Sequence, residues 1–445
     1  MGERSAGMGR AIGRATSPLR AARSHPRASA GVAVLLVAAG LWAWWATQLW
    51  GLPDVGDPFD VEAFEAVRIP DDRNAFVVYR DAASMLEGVV SASRRQKRGL
   101  VWIHFPGEWS EADQAWRDFL ADGRAALDLW RSGSDRPDAR YDHPEGLSLH
   151  TLLPVTQKFF LFVRMGALEG SRLQAEGDMA GAWGWYRAVL RSSRHSGRHG
   201  LLYERLVGAA MHKVGAGALT RWADDPRVDA PLLRQALAEV IAIDALTAPR
   251  SDAIKWEYLV FIHTMDDPDL VEDLLTSRQP GDPGDWCQDL PVADAAKRPI
   301  QAARLLAAND RERSLRVARL MTANWLAQVD RPPSRRARLA QVDPPIYEAD
   351  PTAPPASRAL PPGELAKWLD SSLLARWDLR HQVRYAPLID RERIRQARLV
   401  VHLADRLYRR ERGGPPPTPQ ALVGTYLEAL PEGYDAPDEG PDDAP

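Results

Sequence analysis

The chain has 445 residues, 45% of them hydrophobic, with 57 basic against 60 acidic residues and a net charge of -3. That is enough apolar content to bury one large or two ordinary cores, and the charge balance gives no support for nucleic-acid binding. One cysteine, Cys287, excludes an intrachain disulfide and a zinc site built on several thiolates.

The chain opens on a basic segment, residues 1–27, in which Arg4, Arg10, Arg14, Arg20, Arg23 and Arg27 face only Glu3. Residues 28–52, ASAGVAVLLVAAGLWAWWATQLWGL, carry no charge. As a helix they are about 37 Å long, enough to cross a hydrocarbon core of roughly 30 Å with some tilt. The apolar run exceeds the roughly 7–15 residues of a secretory signal, and no small-x-small cleavage site follows it, so an uncleaved signal-anchor is expected. The arginines before it, and Asp54, Asp57 and Asp60 after it, place the N-terminus in the cytoplasm and the main domain outside it, across the cytoplasmic membrane. Trp42, Trp44, Trp45 and Trp50 crowd the outer half, where indole rings favour the headgroup level. Residues 53–70, with Pro53, Gly56, Pro58 and Pro70, are expected to form a stalk.

A helical domain is expected over 71–276. Asp71 or Asp72 can cap a first helix whose face is Phe76, Tyr79, Ala83 and Leu86, with Gly88 as a stop. The VWIHF run from Val101 is the best strand candidate, with a buried helix or an extended connector as its alternatives. Ser110 and Asp113 form a variant capping box before a helix striped by Trp116, Phe119, Leu120, Leu127 and Trp130. Further helices are expected through KFFLFVRMGALEGSRLQAEG, over Leu201 to Trp222, from Pro231 to Leu246 behind Asp229, and from Ser251 or Asp252. Gly208, Ala209, Ala210, Gly215 and Gly217 permit tight packing. Residues 277–300 form a Pro/Gly/Asp-rich loop, 301–330 a helix, 331–362 a Pro-rich loop. A C-terminal helical block, 363–430, includes a helix from about Ile389 to Arg412, and 431–445 is an acidic tail expected to be disordered.

Between two of these helices, Gly170, Leu173, Gly177, Ala182, Tyr186 and Val189 are spaced so that small residues allow close approach while the larger ones fill the seam. This spacing resembles the tetratricopeptide (TPR) repeat over about one repeat, with a shorter echo in Ala75, Tyr79 and Ala82. The fold class expected is therefore all-α: an irregular TPR-like solenoid or a compact helical domain behind one transmembrane helix. The C-terminal stretch ARLVVHLADRLYRRERGGPPPTPQALVGTYLEALPEGY, the Tyr79 to Ala83 motif and the Ala175 to Asp178 hairpin resemble a family of membrane-anchored, TPR-like helical proteins of planctomycete bacteria. No activity is attached to that family.

No motif amounts to a reaction, and no catalytic, cofactor-binding or metal residue is assigned. His195 and His199 stand four apart, but Gly197 interrupts the turn and no HExxH pattern surrounds them. The clusters Asp266, Asp267, Asp269 and Asp282, Asp285, Asp289 lack the spacing of a Ca²⁺ loop. The glycines form neither a nucleophile elbow nor a phosphate loop, and Cys287 stands alone beside Trp286. Stacked hairpins create concave surfaces, so the function expected is a scaffold or module that binds a protein or peptide. The alternatives are an enzyme whose site draws on His104, His150, His212, His263 and distant carboxylates, or a structural part of an envelope or secretion assembly.

Overall fold

The computed structural model describes residues 26–95, 105–143, 154–267, 310–332, 335–336, 346–348, 355–372, 375 and 386–436, and among these it is all-helical. No strand forms among them; the extended pairings are isolated bridges, Asn74 with Asp138 and Val423 with Leu427. The strand candidate at Val101, the loop 277–300 with Cys287, and the tail from 437 lie outside the described residues.

Helix α1 spans Pro26–Trp50. Its described side chains, at 30–40 and 42–44, are all exposed. Among the described residues no helix is long and apolar enough to cross a membrane, the side chains described on α1 covering about 15 positions, or roughly 22 Å.

Past Gly51 the chain enters the bundle at once. Leu52 is 1% exposed, in a cluster with Phe261, Val317 and Met321. Those partners belong to α10 (Arg250–Asp266) and α11 (Asp310–Leu326). Arg319 reaches Asp54 at 3.0 Å, and the Tyr258 hydroxyl donates to Asp57 at 2.5 Å. The short α2, Val61–Glu65, is capped by Asp60 and sets Phe64 edge-on to Trp256. The segment expected as a stalk therefore lies along the domain. Its Pro and Gly content suggests a free connector, but Asp54 and Asp57 meet Arg319 and Phe59 and Phe64 meet aromatic partners, while Leu52, the last residue of the expected membrane helix, is buried in the domain instead.

Helix α3, Ala75–Arg95, is capped not by Asp71 or Asp72 but two to three residues later, where the Asn74 carboxamide accepts from Phe76 N–H and Arg140 N–H. It runs through Gly88 without a break. The helix expected from Asp113 to Trp130 divides at Gly123 into α4, Gln114–Asp122, and α5, Arg124–Ser134. The Met165 methyl occupies the space beside Gly123, where a Cβ would lie 2.6 Å from it. Ser110 sits in a 3-10 turn, and Asp113 alone caps α4.

Helices α6, Pro154–Glu176, and α7, Met179–His195, form a hairpin. Gly177 closes it at φ +92, and Asp178 caps α7 by accepting from Gly181 N–H. A Cβ on Gly170 would lie 2.4 Å from the Tyr186 ring, so the glycine is what admits the tyrosine. Helix α8, Leu202–Asp224, crosses α7 closely at Gly208 and Gly215, whose missing side chains leave room for the Ser193 carbonyl and Val189. Asp229 caps α9, Ala230–Asp244. Asn324 clamps the main chain of Tyr347 through two hydrogen bonds, at 2.7 and 2.9 Å, which fixes part of the Pro-rich stretch to α11. After α12, Pro362–Ser371, the long α13, Ala386–Arg412, returns to pack on both α8 and α9. The start of the expected tail is held too: Arg398 donates to the Ala436 carbonyl.

Candidate functional site

Two places concentrate polar chemistry, one sealed and one open. The sealed one forms where α13 docks. Glu392 accepts from Arg194 of α7 and, at 2.8 Å, from Arg205 of α8. His212 lies 3.8 Å from the same carboxylate and bonds Gln396 at 2.8 Å through Nε2. Arg194 also reaches Asp244, at the end of α9, at 3.0 Å. Arg194, Arg205, His212 and Glu392 are all buried. Burial alone would raise the Glu392 pKa, but Arg194 and Arg205 hold its carboxyl well below the usual range. Burial, helped by Arg194, pushes His212 down to about 3 despite the pull of Glu392, so the imidazole is neutral. The Glu392 carboxylate thus joins three helices, α7, α8 and α13, and Arg194 extends the network to α9.

Beside it, the Tyr79 hydroxyl and His195 Nδ1 are 2.8 Å apart, both fully buried, and burial with Arg191 and Arg198 lowers His195 to about 3. At the start of α8, Glu204 accepts from Leu201 N–H and Glu257 from Leu202 N–H. Burial raises both carboxyls to about 7.

The histidines weighed as members of a distributed site are not gathered here. His212 serves the α13 network, His263 pairs with Glu65 at 3.0 Å, and His104 and His150 lie outside the described residues. His195 is engaged by Tyr79 and His199 sits in the following turn at φ 51. Among the described residues no group of three His, Cys, Asp or Glu stands close enough to hold a metal. Asp266 pairs with Arg311; Asp269, Asp282, Asp285 and Asp289 lie outside the described residues.

The open place is a cleft of about 1000 Å³ between α6 and α8, walled on its third side by the 105–116 stretch. Its floor is made of small residues, Ala167, Ala210, Gly217 and Ala218, with Val214. Ala210 and Gly217, which looked like helix-contact positions, face this space: a Cβ on Gly217 would meet only the Arg221 guanidinium, at 3.7 Å. Phe105, Trp116 and Phe160 supply aromatic walls. Arg164 stands among them, its guanidinium carbon 4.5 Å from the Phe160 ring centre and 5.6 Å from that of Phe105. Burial lowers its pKa, yet it remains a cation. Sequence reasoning passed over it; the available signal was one arginine inside the apolar run FFLFVRMGAL.

Gly170, Leu173, Gly177, Ala182, Tyr186 and Val189 lie in the α6–α7 hairpin, behind this cleft, as packing and turn residues. No family model, curated protein or solved structure matches this chain.

Proposed function

We propose that this chain is a single-pass membrane protein, anchored in the inner membrane by α1 with its N-terminus cytoplasmic, whose extracytoplasmic helical domain binds another protein or peptide in the α6–α8 cleft. The cleft carries the reading: in a groove of this volume an apolar floor and aromatic walls are joined by the charged side chains of Glu111, Asp113, Arg164, Lys213 and Arg221, a mixture that suits a protein or peptide segment. The anchor is supported by the uncharged stretch 28–52, by the arginines ahead of it and by the exposure of each described α1 side chain. The spacing of Gly170, Leu173, Gly177, Ala182, Tyr186 and Val189 favours a TPR-like hairpin, and the return of α13 onto α8 and α9 favours a compact domain over an open solenoid.

A reporter fused after Pro445 is expected to be active only in the extracytoplasmic space; activity in the cytoplasm refutes the topology. Full-length chain purified from detergent-solubilised membranes is expected to carry a partner that Gly217→Trp, which fills the cleft without entering the core, removes. Equal recovery with the filled cleft refutes the site.

A further inference from the structure

We propose that the occupant of the cleft is an acidic peptide, held by a carboxylate on Arg164 and by an adjacent apolar side chain on the small-residue floor. The proposal rests on the peptide-binding reading above and narrows it to one chemistry.

The argument begins with the carboxylates at the cleft, all of which have partners. Glu111 accepts from Gly107 N–H at 2.8 Å, Asp113 accepts from Trp116 N–H at 3.0 Å, and Glu108 pairs with Arg221 at 3.2 Å. Arg221 is further committed to the Gly107 carbonyl. Arg164 differs. Among the described residues it has no carboxylate and no carbonyl, only the two rings. Rings that take the faces of a guanidinium leave its in-plane N–H donors directed past their edges, where a carboxylate is bound by two parallel hydrogen bonds. A half-buried cation with unmet donors gains most from an anion.

The rest of the cleft describes the rest of the ligand. Ala167, Ala210, Val214, Gly217 and Ala218 offer no strong donor or acceptor side chain, so what lies on them is apolar. A volume of about 1000 Å³ is at the upper end for small-molecule pockets, more than a simple carboxylate fills and suited to a short chain segment with one acidic and one apolar residue in succession.

The test selects a random dodecapeptide display library on the full-length chain in detergent micelles, with the Gly217→Trp chain as counter-selection. Fluorescent copies of the enriched peptides are then titrated by anisotropy. The expected peptides carry Glu or Asp beside Phe, Leu or another apolar residue. Changing that acid to its amide, or Arg164→Ala, should each weaken binding about tenfold or more, the size of one lost charge-assisted hydrogen bond. The two changes together should cost no more than either alone, and Arg164→Lys should lie between. The peptide-side change leaves the protein intact, so the outcome does not depend on a variant folding. Enriched peptides without acids, or affinity unchanged by Arg164→Ala, would overturn acid recognition while leaving peptide binding in place. An absence of enrichment over the filled cleft would overturn both. Binding that appears only after residues 437–445 are removed would assign the cleft to the acidic end of this chain and overturn an external ligand.

Discussion

Arg316 of α11 donates to the main-chain carbonyl of Leu52 at 3.0 Å, while the Leu52 side chain is buried in the cluster that Arg316's own helix helps to build. The chain is therefore gripped two residues after α1 ends. Among the described residues the domain's first buried side chain thus lies two residues past α1, with Gly51 alone between them.

Leu52→Ala is accordingly expected to destabilise the helical domain by about 2–3 kcal/mol, the low end of the range for a buried leucine. Urea unfolding of the full chain in detergent measures it, and limited proteolysis should show new cleavage between 53 and 70. Were Leu52 instead the exposed end of the apolar stretch, the substitution would fall within about 0.5 kcal/mol of wild type.

Glu392 is the second point of leverage. Glu392→Gln leaves Arg194 and Arg205 buried without their anion and is expected to cost about 3–5 kcal/mol. Asp244→Asn removes a half-exposed partner of the same Arg194 and is expected to cost less than about 1 kcal/mol. Comparable losses from both would mean that α13 is not held through Glu392.

These two residues also show what a sequence can and cannot display. Most helices were legible, because apolar stripes such as Phe76, Tyr79, Ala83 and Leu86 follow from local periodicity, and a cap such as Asp229 acts within three residues. Glu392 lies in DRERIRQAR, a run with the composition of a solvated face; only the docking of α13 on α8 and α9, with Arg194 of α7 reaching in, makes it internal. Leu52 is hidden for the same reason, since its partners lie in α10 and α11. Ala210 and Gly217 carried a true signal with two solutions: small residues admit either a neighbouring helix or a ligand, and local spacing does not choose. The division at Gly123, where the backbone turns to ψ 0, leaves the apolar stripe unbroken, so periodicity does not show it.

Gly170 and Tyr186 supply a packing test. Gly170→Ala places a methyl 2.4 Å from the Tyr186 ring and is expected to cost about 1–3 kcal/mol by overpacking. Gly88→Ala, mid-helix with nothing within 4 Å of the new methyl, is expected to stabilise by about 0.5–1 kcal/mol. The same two denaturation curves decide it: if Gly170→Ala also stabilises, the hairpin is not closed over that glycine.

Stability should depend on pH through opposed groups. His195 and His212 titrate near 3 in the fold and near about 6.5 when unfolded, so between those values the unfolded chain binds more protons, and each removes about 1.4 kcal/mol per unit as pH falls. Glu204 and the half-buried Glu257 behave oppositely. Their carboxyls titrate near 7 in the fold against about 4.3 unfolded, so each removes stability as pH rises through that window. From about pH 4.3 to 6.5 the two pairs offset one another and the urea midpoint should be nearly flat. Below that, both glutamates are protonated in either state, the histidine effect continues, and Glu392, whose folded carboxyl is held low by Arg194 and Arg205, begins to lose its contribution. The midpoint should then fall steeply toward pH 3. Glu204→Gln removes one opposing group, so in that variant the midpoint should climb with pH across the window that is flat in the wild type. A midpoint that stays flat in Glu204→Gln would show that the buried histidines are not what the acid limb reports.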